Sequence, residues 1–474
     1  MARIADFIIA DFRIADFASP IFGIMRAIHV RVDVYSRTDY LKSTRTRSNE
    51  SSMSLSNEKV LELRNQFPAF ERKVNGFPAA YFDGPAGTQV PKSVANAISD
   101  YLLHRNANHH GLFQTAIESD EILAEAHQAF ADFVNANDPA EVSFGQNMTS
   151  LTLAFSRALS QTWDAGDEII VTRLDHDANV TPWVLAAEDR NVKVNYVDFN
   201  HHDYKLNIDQ LQSFLNSKTK LVAVGCASNA SGGINPVKQI AQMAHEVNAK
   251  VFLDAVHFAP HRLIDVQEFE CDFLACSAYK FFGPHTGILW GKRQLMEDLK
   301  AYKVRPAPDD LPGKWMTGTQ SHECIAGSLA AVEYIAEIGY RELPSETASR
   351  REALVAAFSA INEYEQVLSD ALLAGFKSIA GIKVYGIDEV GRGDERVATF
   401  SITLETMPTT AFAQELCNRG HFVWNGHYYA LQFYESLGLA PEGMVRIGAL
   451  HYNTLNEVER LLSDIRVIAS PKLA

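Results

Sequence analysis

Several features that define whole classes of protein are missing from this chain of 474 residues. It has five cysteines and no Cys-x-x-Cys pair, so neither a disulfide framework nor a zinc finger is expected, and a reducing cytoplasm is the default location. No apolar run reaches the roughly eighteen residues that cross a bilayer. The formal net charge of -15 argues against nucleic-acid and anionic-membrane partners.

The glycine fingerprint of dinucleotide-binding folds is also absent after the first predicted strand, which disfavours a nucleotide-binding dehydrogenase. What is present is a 47% hydrophobic composition, enough for a large core and for two domains or more. Residues 1–52 differ from the rest, because the repeated phrase "RIADFIIADFRIADF" leads into a Ser/Thr/Arg-rich stretch. We expect them to form a non-globular extension outside the fold, without a transit function.

From about residue 90 to residue 292 the chain alternates between helical patterns and short, almost continuously apolar strands. This alternation is typical of an α/β fold with a mostly parallel sheet that is covered by helices on both faces. We therefore predict a large domain over 53–345, in which 53–90 contributes to the active site. A smaller C-terminal α+β domain is predicted over 346–474.

Polar residues follow several of these predicted strands, at the edge where parallel sheets bind ligands. A strand and a helix meet at "VSFGQNMTS", where a helix N-terminus can hold a phosphate. His176, Asn229 and Asp254 each follow a further strand. Each also has an ordinary reading, as a surface histidine, a turn asparagine and a structural ion pair, and Asn147 can be a simple helix cap.

Lys280 lies at the same edge, just after the apolar run "CDFLACSA". Pyridoxal phosphate uses all of these groups together. Its aldehyde forms a Schiff base with a lysine, an aspartate keeps its ring nitrogen protonated, and a helix N-terminus suits its phosphate. The combination therefore predicts pyridoxal 5'-phosphate as the cofactor, and no metal site.

Six motifs are similar to those of the class V aminotransferase group of pyridoxal-phosphate enzymes, and within it to the cysteine desulfurase and selenocysteine lyase branch. They are "YFDGPAGTQVP", "DHDANVTPW", "SNASGGINPV", "FLDAVHFAPH", "SAYKFFGPHTGILWGK" and "VRIGALHYNT". The resemblance runs from about residue 58 to the end. It implies the fold type I architecture of pyridoxal-phosphate-dependent transferases.

The resemblance implies roles for five residues around the cofactor ring. Lys280 carries the cofactor, His176 stacks on its ring and Asp254 pairs with its pyridine nitrogen, and these three are the implied catalytic residues. His257 occupies the position that bonds the phenolic oxygen. Asn229 lies beside both the ring and the substrate.

Further implied contacts reach the phosphate and the substrate carboxylate. The phosphate meets Met148 through its backbone, Thr149 and Ser277, while Arg446 grips the carboxylate in the two-pronged way of a guanidinium. Thr319 in "WMTGTQSHE" resembles the segment that reaches the phosphate of a neighbouring subunit, which implies a homodimer.

One departure from the desulfurase pattern bears on the reaction. Desulfurases carry a nucleophilic cysteine in the loop before the strand with the arginine, and here "GHFVWNGHYYALQFYESLGLAPEGMVRIG" contains none. Cys417 lies upstream on a predicted helix and is expected to be a packed thiol. His427 in the altered loop is a candidate substrate-binding residue, and His427, Tyr428 and Tyr429 are candidate acid–base groups there. Tyr279 stands where many relatives have histidine.

The first functional hypothesis is a desulfurase-like enzyme that cleaves the C–S or C–Se bond of a small amino acid, with a sulfur acceptor that the sequence does not identify. A class V aminotransferase, an epimerase or a β-lyase is the alternative that the missing cysteine favours. A protein that binds pyridoxal phosphate without turnover is a third. The freed Lys280 amine would act as the base, with a pKa lowered by cationic surroundings.

Overall fold

The computed structural model describes residues 55–343 and 347–470. The predicted extension over 1–52 lies outside the described residues, and so does the boundary predicted at 345/346. In chain order the strands are β1 (Lys73–Val74), β2 (Phe77–Pro78), β3 (Ala80–Tyr81), β4 (Val142–Gly145), β5 (Glu168–Thr172), β6 (Lys193–Val197), β7 (Thr219–Gly225), β8 (Lys250–Asp254), β9 (Phe273–Ser277), β10 (Gly287–Gly291), β11 (Ile382–Tyr385), β12 (Thr399–Leu404), β13 (His421–Phe422), β14 (Trp424–Gly426) and β15 (Met444–Gly448).

The α-helices alternate with these strands over most of the chain. They are α1 (Asn57–Arg64), α2 (Lys92–Asp100), α3 (Gln114–Val134), α4 (Met148–Leu159), α5 (Thr181–Glu188), α6 (Ile208–Phe214), α7 (Val237–Glu246), α8 (Val266–Phe269), α9 (Arg293–Asp298), α10 (His322–Tyr340), α11 (Arg350–Lys377), α12 (Thr409–Asn418), α13 (Leu431–Ser436) and α14 (Leu455–Ala469). None of these helices is both long enough and apolar enough to cross a membrane.

The main sheet has seven strands in the order β4-β10-β9-β8-β7-β5-β6. Strands β5 to β9 run parallel, whereas β10 is antiparallel to both of its neighbours, β9 and β4. The predicted mostly parallel α/β sheet is thus confirmed. The antiparallel strand arises because β9 and β10 are joined by a connection too short for a crossover helix.

The apolar strands are buried on both faces of this sheet. In β8, Val251 and Leu253 pack into one hydrophobic cluster, and Phe252 between them packs into the other. Side chains alternate between the two faces of a strand, so a strand covered on both sides must be apolar at successive positions. The same physical requirement explains why β9 is buried at every position.

A second sheet, antiparallel and four-stranded, has the order β11-β12-β15-β14. Helix α11 begins at a capping box in which Ser349 and Glu352 bond each other's backbone N–H groups, and α14 begins in the same way at Thr454. The N-terminal segment is tied to this part of the chain, because β3 pairs in parallel with β13 and Asp83 bridges to Gly448. The predicted division into domains at 345/346 stays a prediction.

Candidate active site

A cavity of about 720 Å³ lies beyond the carboxyl ends of β4, β5, β7, β8 and β9. It is lined by nine of the predicted residues or their immediate neighbours: Asn147, Met148, Thr149, His176, Asn229, Asp254, His257, Ser277 and Lys280. The residues that were predicted to meet at the carboxyl ends of the strands therefore do lie in one cavity.

Lys280 follows β9 in a short 3₁₀ turn. Its Nζ donates hydrogen bonds to the carbonyl oxygens of Pro85 and Ala86, the latter at 3.1 Å. Burial and the charge of Arg446 lower the pKa of this amine to about 7, against the opposing effect of Asp254. The sequence prediction attributed the shift to cationic surroundings, and it was wrong in emphasis because burial is the larger cause.

Asp254 ends β8 and is buried. Its Oδ1 accepts a hydrogen bond from the backbone N–H of Val256 at 2.8 Å. Burial raises the pKa of this carboxyl to about 6, and the hydrogen bond and the charge of Lys280 oppose the rise. An acid in this state needs a partner that carries a proton, because a bare buried carboxylate is costly.

His176 presents a neutral ring to the cavity. Its Nδ1 accepts a hydrogen bond from the N–H of Ala178 at 3.0 Å, and burial, with the charges of Lys280 and Arg446, lowers its pKa to about 3. The ring of Tyr429 lies nearly parallel to it, with centroids 5.4 Å apart and planes at 21°. The His176 ring is therefore held at one edge by a backbone hydrogen bond and at one face by the ring of Tyr429.

Two buried side chains in the cavity wall carry polar atoms without a hydrogen-bond partner. Asn229 donates from Nδ2 to the carbonyl oxygen of Tyr428 at 2.9 Å, while its Oδ1 is unpartnered. Neither ring nitrogen of His257 has a partner. Buried polar atoms are almost always bonded, so these three atoms indicate a place where a polar ligand binds.

Helix α4 points its N-terminus at the cavity. Asn147 caps the helix by accepting from the N–H of Ser150 at 2.8 Å, and the N–H of Met148 donates to Oγ of Ser277 at 3.0 Å. Gly287 on β10 permits this approach, because a Cβ there would clash with the backbone of Asn147. The exposed Thr149 stands in the first turn, where the helix dipole favours an anion.

Three predicted residues do not line this cavity. Arg446 is buried on β15, donates to the carbonyl oxygen of Asn229 at 3.0 Å and packs its guanidinium over the Tyr428 ring. Thr319 lines a neighbouring cavity of about 840 Å³, and His427 is exposed on the altered loop. Their roles toward substrate, phosphate and partner subunit stay predictions.

Sequence reasoning passed over two residues that belong to the site. Asp175, directly before His176, is buried in the cavity wall, accepts from Gly225 N–H at 2.9 Å, and has a pKa that burial raises to about 7. The carboxyl of Asp83 interacts with the charges of Lys280 and Arg446. Both lie in motifs that carry the family resemblance, which was the available signal. Tyr429, predicted as a possible acid–base group of the altered loop, lines the cavity beside His176, and its acid–base role stays a prediction.

The chain is similar in sequence and in fold to known proteins. The chain is 31% identical over 431 residues to a cysteine desulfurase of Synechococcus elongatus, an alignment that covers 88% of this chain but spans only 64% of that protein. It is 32% identical over 428 residues to the aminotransferase-like protein FGM3 of Gibberella zeae, which it covers in full. A solved cysteine desulfurase from Thermococcus onnurineus shares the fold, with a TM-score of 0.76 at 22% identity over 86% of this chain and 98% of that one.

The family model described as aminotransferase class-V matches residues 80–461. This match takes in both sheets and every residue of the cavity wall. The chain therefore belongs to the class-V aminotransferase family.

Proposed function

We propose that this protein is a pyridoxal-phosphate-dependent enzyme that cleaves the C–S or C–Se bond of a small amino acid, as a cysteine desulfurase does with cysteine. One observation carries the proposal: the Lys280 amine, with its lowered pKa, shares a cavity with the buried carboxyl of Asp254. The cysteine desulfurases among the relatives and solved structures support the choice of reaction.

The donor set of the cavity fits pyridoxal 5'-phosphate. A buried amine suits its aldehyde, a buried acid suits its ring nitrogen, and the N-terminus of α4 with Ser277 suits its phosphate. The unpartnered atoms of Asn229 and His257 suit its phenolic oxygen. When bound, the cofactor supplies an electron sink for the carbanion of an amino acid.

The residues of the chain divide the remaining tasks. The Asp254 carboxylate would keep a proton on the ring nitrogen of the cofactor. The flat neutral ring of His176 covers one face of the site. The Lys280 Nζ, neutral in a large fraction near pH 7, takes a proton from the α-carbon and returns it. Arg446 beneath Asn229 provides the charge that attracts a substrate carboxylate.

The residues that line the cavity favour a second candidate, a reaction that forms no persulfide. This reaction is β-elimination, transamination or epimerisation. Among the residues that the structure describes, no cysteine lines this cavity. Incubation with cysteine and an added thiol distinguishes the two. Desulfuration transfers the sulfur to the thiol as a persulfide and yields alanine, whereas elimination, with water, yields pyruvate, ammonia and hydrogen sulfide. Alanine as the product supports the first candidate, and pyruvate supports the second.

We also propose a homodimer in a reducing cytoplasm. Leu103, Leu112 and Phe113 are exposed apolar side chains, and Leu112 is 99% exposed, so a partner subunit that covers them would remove apolar surface from water. Thr319 would then reach across to the partner's phosphate site. The negative net charge supports the absence of nucleic-acid and membrane partners.

The cofactor assignment is tested by visible absorbance on adding pyridoxal phosphate to the purified protein. Wild type should develop a band that Lys280→Ala abolishes. Lys218→Ala, which removes an exposed loop lysine, is the control and should keep the band. A wild-type protein that stays colourless would contradict the proposed function.

A further inference from the structure

Three buried polar side chains, Glu365, His261 and His257, here called the buried triad, lead from helix α11 to the wall of the cavity. Glu365 on α11 bonds His261, with 2.7 Å between its Oε2 and the Nδ1 of the ring, and both side chains are 1% exposed. The rings of His261 and His257 lie edge to face, with centroids 5.5 Å apart. His257 in turn lines the cavity.

The buried triad has an unusual concentration of polar atoms without a hydrogen-bond partner. Oε1 of Glu365, Nε2 of His261 and both ring nitrogens of His257 lack hydrogen-bond partners. A buried carboxylate and imidazole are costly to desolvate, and their replacement by apolar groups is often neutral or stabilising. A structural role alone therefore does not explain the buried triad, whereas the binding of a ligand at His257 would.

The hydrogen bond to Glu365 fixes the position of a proton on the His261 ring. A carboxylate oxygen accepts, so the Nδ1 of His261 is the donor of this bond and carries a proton. His257 is neutral, because burial and the neighbouring charges of His261, Arg446, Lys280 and His176 all lower its pKa. A neutral imidazole offers one N–H donor and one bare acceptor nitrogen.

We infer that Glu365 and His261 are positioning residues that fix the charge and the ring orientation of His257 toward the ligand in the cavity. The inference rests on the proposed function, since the ligand that His257 would meet there is the cofactor. It assigns a task to a residue of α11, remote in sequence from the lysine and the strand ends.

A second pair supplies a matched control. His421 is fully buried and its Nε2 lies 2.7 Å from Oδ2 of Asp464, and its Nδ1 also lacks a partner. Neither residue lines the cavity. Both pairs join a buried histidine to a carboxylate, but Asp464 is 24% exposed and also lies near Arg419, whereas Glu365 is 1% exposed. The His421 pair therefore controls for the loss of a histidine–carboxylate bond away from the cavity.

The test begins with the full-length protein free of cofactor, in which ring nitrogens of ¹⁵N-labelled histidines report charge and tautomer by NMR. His257→Asn and His261→Asn spectra assign the two signals. We expect the Nδ1 of His261 to carry a proton and His257 to be neutral in a single tautomer. A His261 ring without a proton on Nδ1, or a mixture of His257 tautomers, in wild type would overturn the inference, whatever the variants do.

The variants Glu365→Gln and Asp464→Asn follow, with thermal unfolding and pyridoxal phosphate affinity as readouts. Glu365→Gln should lower the melting temperature, loosen the fixed tautomer of His261, mix the tautomers of His257 and weaken cofactor binding by about tenfold. Asp464→Asn should lower the melting temperature and leave the cofactor affinity unchanged. Equal affinities in the two variants would reduce the Glu365 pair to a structural role.

Glu365→Asp retains the carboxylate and serves if the glutamine variant does not fold; it should keep the proton on Nδ1 of His261. The histidine spectra do not involve the cofactor. A protein with the expected spectra that stays colourless with pyridoxal phosphate would therefore refute the proposed function and not the assigned tautomers.

Discussion

The Nζ atom of Lys280 lies 3.1 Å from the carbonyl oxygen of Ala86 and donates a hydrogen bond to it. The reactive amine is thus held by backbone of the N-terminal segment, while the carboxyls of Asp254 and Asp83 act on it only through their charges. Neutral acceptors stabilise an ammonium less than a bonded carboxylate would. This arrangement leaves burial free to lower the pKa of Lys280.

The first prediction concerns the reactivity of Lys280 with pH. The neutral amine is the nucleophile, so in the cofactor-free protein the labelling of Lys280 by trinitrobenzenesulfonate should rise through pH about 7, the value that burial produces. Mass spectrometry of the peptide gives the rate. In denaturant the same peptide should follow its ordinary value of 10.5. Identical profiles in the two states would contradict the lowered pKa.

The second prediction concerns Asp83, whose Oδ1 is buried without a partner. Burial raises its pKa from 3.8 to about 6. The folded state therefore holds this proton more tightly, and stability due to Asp83 is lost as the pH rises from 3.8 to about 6. Asp83→Asn should raise the free energy of unfolding above that range by on the order of 2 kcal/mol, and have little effect below it.

Urea unfolding of Asp83→Asn and wild type at acidic and mildly alkaline pH measures this difference. The same variant should lower the pKa of Lys280 further, because Asp83 is one of the charges that raise it. A variant that is equally destabilised at both pH values would show that Asp83 makes a hydrogen bond that its neighbours depend on.

The strand-end residues could be predicted because the physics is local. An apolar run such as β8 or β9 must be buried on both faces, and the polar residue that follows it must lie at the edge of the sheet. Asp254 and Lys280 needed no more than this. The direction of strand β10 could not be predicted, since an apolar strand buried on both faces has the same sequence pattern whether it runs parallel or antiparallel.

The contacts made by loops could not be predicted. Tyr429 reaches His176 across the sequence only because the loop after β14 folds onto the turn after β5, where the N–H of Asp177 donates to the Tyr429 carbonyl oxygen at 2.7 Å. Asp83 likewise meets the site through the bridge to Gly448. Neither contact leaves a periodic pattern, and tertiary packing alone determines both.

The third prediction concerns Tyr429, which with Tyr428 forms two consecutive residues of positive φ, at 60° and 50°. Such backbone is strained in residues other than glycine and is often found at functional sites. Tyr429→Gly relieves the strain but adds entropy to the unfolded chain, so stability should rise by less than about 1 kcal/mol. The loss of the ring should weaken binding of pyridoxal phosphate, because His176 loses its parallel neighbour.

Tyr429→Phe is the matched control, since it keeps both the ring and the backbone strain. It should bind the cofactor as wild type does, as measured by absorbance titration, with unchanged urea unfolding. Wild-type affinity in Tyr429→Gly would mean that the stacked ring does not orient His176. A loss in Tyr429→Phe would instead assign the task to the phenol hydroxyl.

The last prediction concerns the thiols. Cys226, Cys271 and Cys276 are buried, and burial raises the pKa of each, which makes them poor nucleophiles. Cys324 on α10 and Cys417 on α12 are partly exposed, but neither lines the cavity. If the protein releases sulfur from cysteine, as sulfide by elimination or as a persulfide on an added thiol, the double variant Cys324→Ala/Cys417→Ala should do so at the wild-type rate, and mass spectrometry should find no persulfide on the protein. Loss of sulfide release in this variant, with its cofactor absorbance intact, would require one of these helices to move its thiol to the site during turnover.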